Sequence, residues 1–130
     1  MNIVKANMVG WFEIPVSDMD RARKFYEEVF GIAIHIERFG DTKMGWFPFA
    51  ENSEAGGAAG SLVYNPKHYH PSADGTLIYF SSAEIDRELQ RVESSGGRIL
   101  QKKTLIRQDI GYMALFLDSE GNRIALHSRV

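Results

Sequence analysis

The spacing of hydrophobic and polar positions changes several times along this chain. Near the start, Phe12, Ile14 and Val16 alternate with their neighbours, which is the period-two pattern of a strand with two different faces. Directly afterwards the apolar residues recur every three or four positions, which is typical of an amphipathic helix. Polar residues that can cap a helix precede this segment and Gly31 follows it, so we predict a helix over Asp18–Phe30.

Turn-forming residues and further changes of period divide the rest of the chain. They predict three strands, a polar connection at Asn65–Gly75, one strand, a second helix and three final strands. Leu105–Asp109 is a candidate for an extra segment at a sheet edge. The predicted elements are, in order, the strands Ile32–Phe39, Met44–Phe49, Gly60–Tyr64 and Thr76–Ser81, the helix Glu84–Ser94, and the strands Arg98–Lys102, Tyr112–Leu117 and Arg123–Ser128.

The chain also repeats itself in degenerate form at a spacing of 66 residues. A repeat of this length is typical of a supersecondary unit that buries its apolar face against its own copy. We therefore predict an α+β protein of two βαβββ modules, at residues 8–66 and 73–129 of a single domain that spans residues 1–130. The matched pairs are Ile14/Phe80, Met19/Ile85, Asp20/Asp86, Arg21/Arg87, Glu27/Glu93 and Gly31/Gly97.

Composition narrows the class of protein further. Hydrophobic residues make up 44% of the chain, charged residues 25%, and the net charge is -2, as in compact soluble domains. This charge offers no attraction to nucleic acid, and we predict no nucleic-acid partner. No apolar run is long enough for a membrane helix, and we predict no membrane partner. Cysteine is absent, which is consistent with a cytoplasmic location and removes thiolate chemistry.

Several segments resemble the vicinal oxygen chelate superfamily, which includes glyoxalases, bleomycin-resistance proteins and extradiol dioxygenases. The resemblance covers nearly the whole chain. It implies two βαβββ modules whose sheets form an open, eight-stranded, curved half-barrel around a cleft, with the helices outside. It also implies a homodimer. The segments that carry the resemblance are Phe12–Asp18, Arg21-Ala22, Phe25-Tyr26, Val29–Gly31 and Asp118–Ile124.

Metal-dependent members of that superfamily place one ligand at each of four strand positions. In this chain those positions hold Trp11, Ser61, Leu77 and Ala125. An indole, an isobutyl group and a methyl group donate no lone pair to a divalent ion, and a serine hydroxyl is a weak ligand. We therefore predict no metal and no other cofactor, and we do not expect glyoxalase I activity.

The half-barrel implied by the resemblance assigns each strand residue to the helix side or to the cleft. If Phe12, Ile14 and Val16 face the helix, their neighbours on the strand face the cleft, and the second module follows by the repeat. A carboxylate in mid-strand is a candidate general base, and a neutral or protonated imidazole is a candidate partner for it. The predicted catalytic residues are Glu13 and His127, and the predicted ligand-binding residues are Trp11, Trp46, Ser61, Leu77, Tyr79, Arg123 and Ala125.

Each of these residues also has an ordinary structural interpretation. Glu13 is equally able to pair with Arg123, and a strand histidine such as His127 is often a satisfied structural residue. His68-Tyr69-His70 has the H-x-H spacing of a metal site, but it lies in a polar loop between prolines, which favours a solvated loop that covers the cleft or contacts a second copy.

Two functions therefore follow from the sequence. The first is a protein that binds a small, partly apolar organic molecule in the cleft without a metal, as sequestering drug-resistance relatives do. The second is a metal-independent lyase or isomerase in which Glu13 is the general base and His127 or Tyr79 stabilises developing charge. A module without any ligand is the third alternative.

Overall fold

The protein has the predicted element order, repeated once. The computed structural model describes residues 5–52 and 54–130. Eight strands and two helices form two successive βαβββ units, which confirms the predicted α+β class. The elements are β1 (Glu13–Pro15), α1 (Met19–Phe30), β2 (His35–Phe39), β3 (Thr42–Trp46), β4 (Ser61–Tyr64), β5 (Ile78–Ser81), α2 (Ile85–Val92), β6 (Arg98–Arg107), β7 (Gly111–Leu117) and β8 (Arg123–Ser128).

Each unit folds into its own four-stranded sheet with the same strand order. The first sheet runs β1-β4-β3-β2 and the second runs β5-β8-β7-β6. In both sheets the first strand pairs in parallel with the last, and the other pairs are antiparallel. In the part of the chain that the structure describes, no ladder joins β1 to β5, so the eight strands form an open arrangement and no closed barrel.

Helix α1 begins and ends as the sequence predicts. The side chain of Asp18 accepts a hydrogen bond of 3.0 Å from the backbone N–H of Arg21, which satisfies one of the free amides of the first turn. Gly31 ends the helix with a left-handed φ of 64°, and its N–H donates to the carbonyl of Glu27. The buried face of the helix consists of Met19, Ala22, Phe25, Tyr26 and Val29.

The two faces of the strands are used as the alternation predicts. Ile14 and Val16 are buried in the core, whereas Glu13 and Tyr79 are exposed. Each helix covers one face of its own sheet, and the two helices also contact each other. The core therefore draws on both modules, with Phe25 of α1 and Phe116 of β7 at 6.0 Å between ring centres.

Several predicted boundaries were wrong. β2 begins at His35 and not at Ile32, β3 covers Thr42–Trp46 and not Met44–Phe49, and β5 begins at Ile78 and not at Thr76. Arg98–Lys102 and Leu105–Asp109 are not separate segments, because β6 runs without a break over Arg98–Arg107 and absorbs the irregularity as register shifts against β7. Helix α2 stops at Val92, two residues before the predicted end. No helix among the described residues has the length and hydrophobicity needed to cross a membrane.

The turn between β7 and β8 fastens the second module to the first. The buried carboxylate of Asp118 accepts a hydrogen bond of 2.6 Å from the hydroxyl of Tyr26 in α1. Asn122 donates from Nδ2 to the carbonyl oxygen of Pro15 in β1 at 2.8 Å. These bonds fix β1 relative to the second sheet without a β ladder.

Candidate functional site

The space between β1 and β5 is the most distinctive feature of the surface, and we call it the seam. β1 and β5 are edge strands, each paired on one side only. The seam is crossed at one point by aromatic contact, where the rings of Phe12 and Phe80 lie 5.9 Å apart at an angle of 83°. It contains two cavities, which adjoin at Ile78.

The larger cavity has a volume of about 640 Å³ and an apolar wall. Its floor consists of four phenylalanine rings, from the residue before β1, the end of α1, the segment after β3, and β5. No charged residue contributes to the wall among the described residues. A volume of this size falls within the range of small-molecule sites, and apolar walls are typical of them. The lining residues are Val9, Phe12, Phe30, Ile32, Phe47, Pro48, Gly56, Gly57, Ala58, Ala59, Leu77, Ile78, Tyr79, Phe80 and Ser81.

The floor of the larger cavity is held in place by ring-to-ring packing. The ring centre of Phe80 lies 4.9 Å from that of Phe30 and 5.5 Å from that of Phe47. Tyr26, which is fully buried, packs edge-on against Phe47 at 5.4 Å. Tilted and edge-to-face contacts at these distances are the favourable arrangements for aromatic pairs. The surface offered to a ligand is therefore formed by rings that already support one another.

Gly60 allows the ring of Phe12 to lie in the floor of the larger cavity. Its φ is +75°, and a β-carbon at this residue would lie 2.2 Å from Cζ of Phe12. The neighbouring backbone is tightly bonded as well, because the N–H of Ser61 donates to the carbonyl of Phe12 at 3.1 Å. Only glycine satisfies both the backbone conformation and the close approach of the ring.

The free edge of β5 supplies polar atoms to the larger cavity. The N–H of Ser82 donates to the carbonyl of His127 in β8 at 2.8 Å. Because backbone groups alternate in direction along a strand, those of Tyr79 and Ser81 point away from β8 and toward the seam. The cavity thus combines an aromatic floor with backbone donors and acceptors at one wall.

The smaller cavity, of about 190 Å³, lies further along the seam, and charged side chains contribute to its wall. Glu13 and Arg123 contribute to its wall, together with His70 from the connection between the modules. The hydroxyl of Tyr69 donates to Oε1 of Glu13 at 2.7 Å. This hydrogen bond to a carboxylate raises the pKa of Tyr69 above its usual value.

The predicted ligand-binding residues are divided among three places. Leu77 and Tyr79 line the larger cavity, and Arg123 lines the smaller one. Trp11 and Trp46 pack edge to face, with ring centres 5.4 Å apart, in the first module. Among the described residues, the indole Nε1 of Trp46 and the Oγ of its cross-strand neighbour Ser61 are buried without a hydrogen-bond partner.

Ala125 occupies the matching position in the second sheet and is fully buried beside Tyr79. Trp11, Trp46, Ser61 and Ala125 line neither cavity of the seam.

The structure does not bring the two predicted catalytic residues to one cavity. Glu13 is exposed, so it lacks the desolvation expected of a mid-strand carboxylate. Its side chain accepts a hydrogen bond from the hydroxyl of Tyr69. His127 lies on the other sheet, where its Nε2 is 2.7 Å from the carbonyl oxygen of Ile110. Because a carbonyl oxygen only accepts hydrogen bonds, Nε2 is the donor and carries the proton. A general base and its partner can act on one substrate only if both side chains lie within hydrogen-bond reach of that substrate.

The residues present do not fit the divalent ion of the metal-dependent relatives. Trp11, Ser61, Leu77 and Ala125 hold the four ligand positions, and among them only a buried serine hydroxyl can donate a lone pair. Within residues 5–52 and 54–130, no group of three or more His, Asp or Glu side chains converges. His68 and His70 are both exposed.

Sequence reasoning did not identify the floor of the cavity or the turn that holds the modules together. The alternation predicts that Phe12 faces the helix, which describes only part of its surroundings. Phe80 stands on the edge strand β5 and Phe12 directly precedes the edge strand β1, and large rings at these two places are the signal that the sequence offers. The Asp118–Asn122 turn was treated as a connection, although three of its five residues are acidic or amide side chains that can bond backbone groups.

Comparison with known proteins agrees with this architecture. The sequence profile of the Glyoxalase/Bleomycin resistance protein/Dioxygenase superfamily matches residues 8–126. The chain therefore belongs to this superfamily, which confirms the resemblance seen in the strand-to-helix segment. No curated protein matches the chain in sequence.

Solved structures with the same fold are distant in sequence. A glyoxalase/bleomycin resistance protein from Albidiferax ferrireducens T118 is 18% identical, with a TM-score of 0.66 over 95% of this chain and 100% of the other. TnmS3, an antibiotic binding protein from Streptomyces sp. CB03234, is 24% identical, with a TM-score of 0.62 over 97% and 98% of the two chains. Glyoxalase I from Zea mays is 17% identical, with a TM-score of 0.68 over 92% of this chain and 45% of the maize chain.

Proposed function

We propose that this protein binds a small, largely apolar organic molecule in the larger cavity of the seam, without a metal ion. The observation that carries the proposal is the floor of four mutually packed phenylalanine rings in a cavity of about 640 Å³. Transfer of apolar ligand surface from water to such a floor is favourable by about 25 cal/mol per Å² before the costs of association. The free backbone groups of Tyr79 and Ser81 would orient one polar group of the ligand.

Similarity supports the same class of function. TnmS3, which shares the fold, is described as an antibiotic binding protein. The four ligand positions of metal-dependent relatives lack metal donors in this chain, so binding has to rest on contacts made by the protein itself. We also propose a cytoplasmic location, with which the absence of cysteine is consistent.

A neutral fluorescent probe tests the proposal. N-phenyl-1-naphthylamine gains fluorescence when it leaves water, and we expect a saturable increase with this protein. Ala59→Phe places a ring in the cavity wall, since Ala59 is a half-buried lining residue. We expect it to weaken binding at least about tenfold, equivalent to 1.4 kcal/mol.

Ala83→Phe is the matched control, because Ala83 is exposed and lines neither cavity. It adds the same ring and should bind the probe like the unmodified protein. Equal binding by both variants and the unmodified protein, or no saturable signal, would contradict the proposal. Dialysis against a chelator should leave probe binding unchanged, and a loss of binding would refute metal independence.

We also propose a homodimer. Large apolar side chains are exposed on and near the sheets, including Trp11 at 43%, Phe39 at 53% and Tyr79 at 51% of their surface. Edge strands and apolar patches of this kind are commonly covered by a second copy in symmetric oligomers. Sedimentation velocity across a concentration series is the test, and a monomer at every concentration would contradict it.

A further inference from the structure

We propose that the smaller cavity of the seam is a separate binding site for a small zwitterion of the α-amino acid type, with Arg123 holding its carboxylate and Glu13 its ammonium group. The inference rests on the charges and the size of the cavity. It does not depend on the apolar ligand proposed for the larger cavity.

Arg123 is a cation without a partner in the part of the chain that the structure describes. Its Nε is buried and makes no hydrogen bond there, and none of the ion pairs among described residues involves it. A buried donor without a partner is unfavourable, and more so when the group is charged. A carboxylate satisfies a guanidinium better than any neutral group, because it accepts two parallel N–H bonds.

Glu13 contributes the opposite charge to the same cavity. It comes from β1 in the first sheet, whereas Arg123 comes from β8 in the second, so the two charges belong to opposite walls of the seam. Oε1 of Glu13 accepts the hydroxyl of Tyr69, which holds the carboxylate in place and leaves its other oxygen for a ligand. No ion pair joins Glu13 to Arg123 in the part of the chain that the structure describes.

The size of the cavity limits the ligand. A volume of about 190 Å³ lies below the range of about 300–1,000 Å³ that is typical of drug-sized ligands, so the ligand has to be small. L-alanine is among the smallest molecules that carry both charges. His70 and Ser72 add polar groups to the wall, and Ile78 offers an apolar surface to a short side chain.

Three matched probes separate the contributions of the two charges. L-alanine carries both groups, propionate lacks the ammonium group, and ethylamine lacks the carboxylate. Binding is followed at pH 7 from the ¹H-¹⁵N resonance of the Arg123 Nε–H, which reports directly on the guanidinium. We expect L-alanine to shift this resonance saturably, propionate to bind at least about tenfold more weakly, and ethylamine to leave it unmoved.

Two variants and one control variant decide the outcome, each followed by backbone amide shifts of the residues around the cavity. Arg123→Gln should abolish the response to L-alanine, whereas Arg98→Gln, an exposed arginine outside both cavities, should keep it. Glu13→Gln affects an exposed side chain and should reduce L-alanine binding to the level of propionate. No response to L-alanine, equal binding of L-alanine and propionate, or unchanged binding by Arg123→Gln or Glu13→Gln would overturn the proposal.

Discussion

Gly60 shows how one residue without a side chain determines the shape of the larger cavity. Gly57, three residues earlier, also has a positive φ, of +84°, but a β-carbon there meets nothing within 4 Å. At Gly60 the same atom would lie 2.2 Å from the ring of Phe12. The two glycines thus share a backbone requirement and differ only in the contact with the cavity floor.

Gly60→Ala should destabilise the protein by about 2–4 kcal/mol, because it adds overlap with Phe12 to the backbone strain. Gly57→Ala should cost only about 1–2 kcal/mol, the strain of a left-handed alanine. Urea unfolding at equilibrium measures both. If the two variants lose the same stability, Phe12 does not occupy the position described.

The residue scale also shows which site predictions a sequence supports. Leu77 and Tyr79 line the larger cavity, but Ile78 and Phe80 line it as well, so both faces of β5 contribute to its wall. A role of Leu77 and Tyr79 in ligand binding stays a prediction. Phe12 and Phe80 were not predicted there, because alternation places a residue on a face and carries no information about a gap beside an edge strand. The gap depends on how two modules dock, which no local pattern encodes.

At the scale of elements, the start of α1 is stabilised by a residue about 100 positions away. The side chain of Glu120 accepts hydrogen bonds from the backbone N–H groups of Ser17 and Asp18, at 2.8 and 2.9 Å, and pairs with Arg21 at 2.7 Å. Burial acts to raise the pKa of Glu120, but Arg21 and the backbone donors outweigh it and lower the pKa below its usual value. A negative charge at this end also complements the helix dipole.

Glu120→Gln should therefore lower stability by about 1–3 kcal/mol at pH 7, since it removes a charged acceptor of several donors. The folded-state pKa is below the unfolded value near 4.5, so this stabilisation is complete above that value and is lost as the pH falls through the folded-state pKa. Thermal unfolding from pH 3 to 8 should show the two proteins converging in acid.

Glu93→Gln, an exposed residue beyond the end of α2, serves as the control and should show no comparable pH-dependent difference. A constant gap between Glu120→Gln and the unmodified protein at every pH would contradict the ionic role of Glu120.

The caps of α1 could be predicted from the sequence, whereas its hydrogen bonds to Glu120 could not. Asp18 and Gly31 stand at the ends of a periodic segment, and capping is a local property of sequence. The contact with Glu120 needs the β7–β8 turn of the other module, which only the folded chain brings near. β6 was predicted as two pieces for a related reason, because ladder contacts with β7 carry the strand through its irregularities.

At the scale of the whole molecule, the two modules share one core and one polar network. Tyr26 is fully buried, and its hydroxyl reaches Asp118 across the module boundary. Burial raises the pKa of Asp118 above its usual value, and hydrogen bonds from Tyr26 and Asn122 oppose this effect. The sequence repeat predicted two modules and their order, but their relative placement rests on these side chains.

Tyr26→Phe should lower stability by about 1–3 kcal/mol, because Asp118 keeps its burial and loses a donor. Unfolding should remain a single transition, since α1 and α2 pack in one core. Tyr64→Phe is the control, because the hydroxyl of Tyr64 makes no hydrogen bond within residues 5–52 and 54–130. Calorimetry that resolves two transitions, or equal effects of the two variants, would contradict a shared core.

The most direct test of the account is to locate the proposed apolar ligand by NMR. With N-phenyl-1-naphthylamine bound to isotope-labelled protein, we expect intermolecular NOEs from the probe to the rings of Phe12 and Phe80 and to the methyl groups of Ile78, which all line the larger cavity. NOEs confined to Trp11 and Trp46, which line neither cavity, or no NOEs under saturating probe, would contradict binding in the seam.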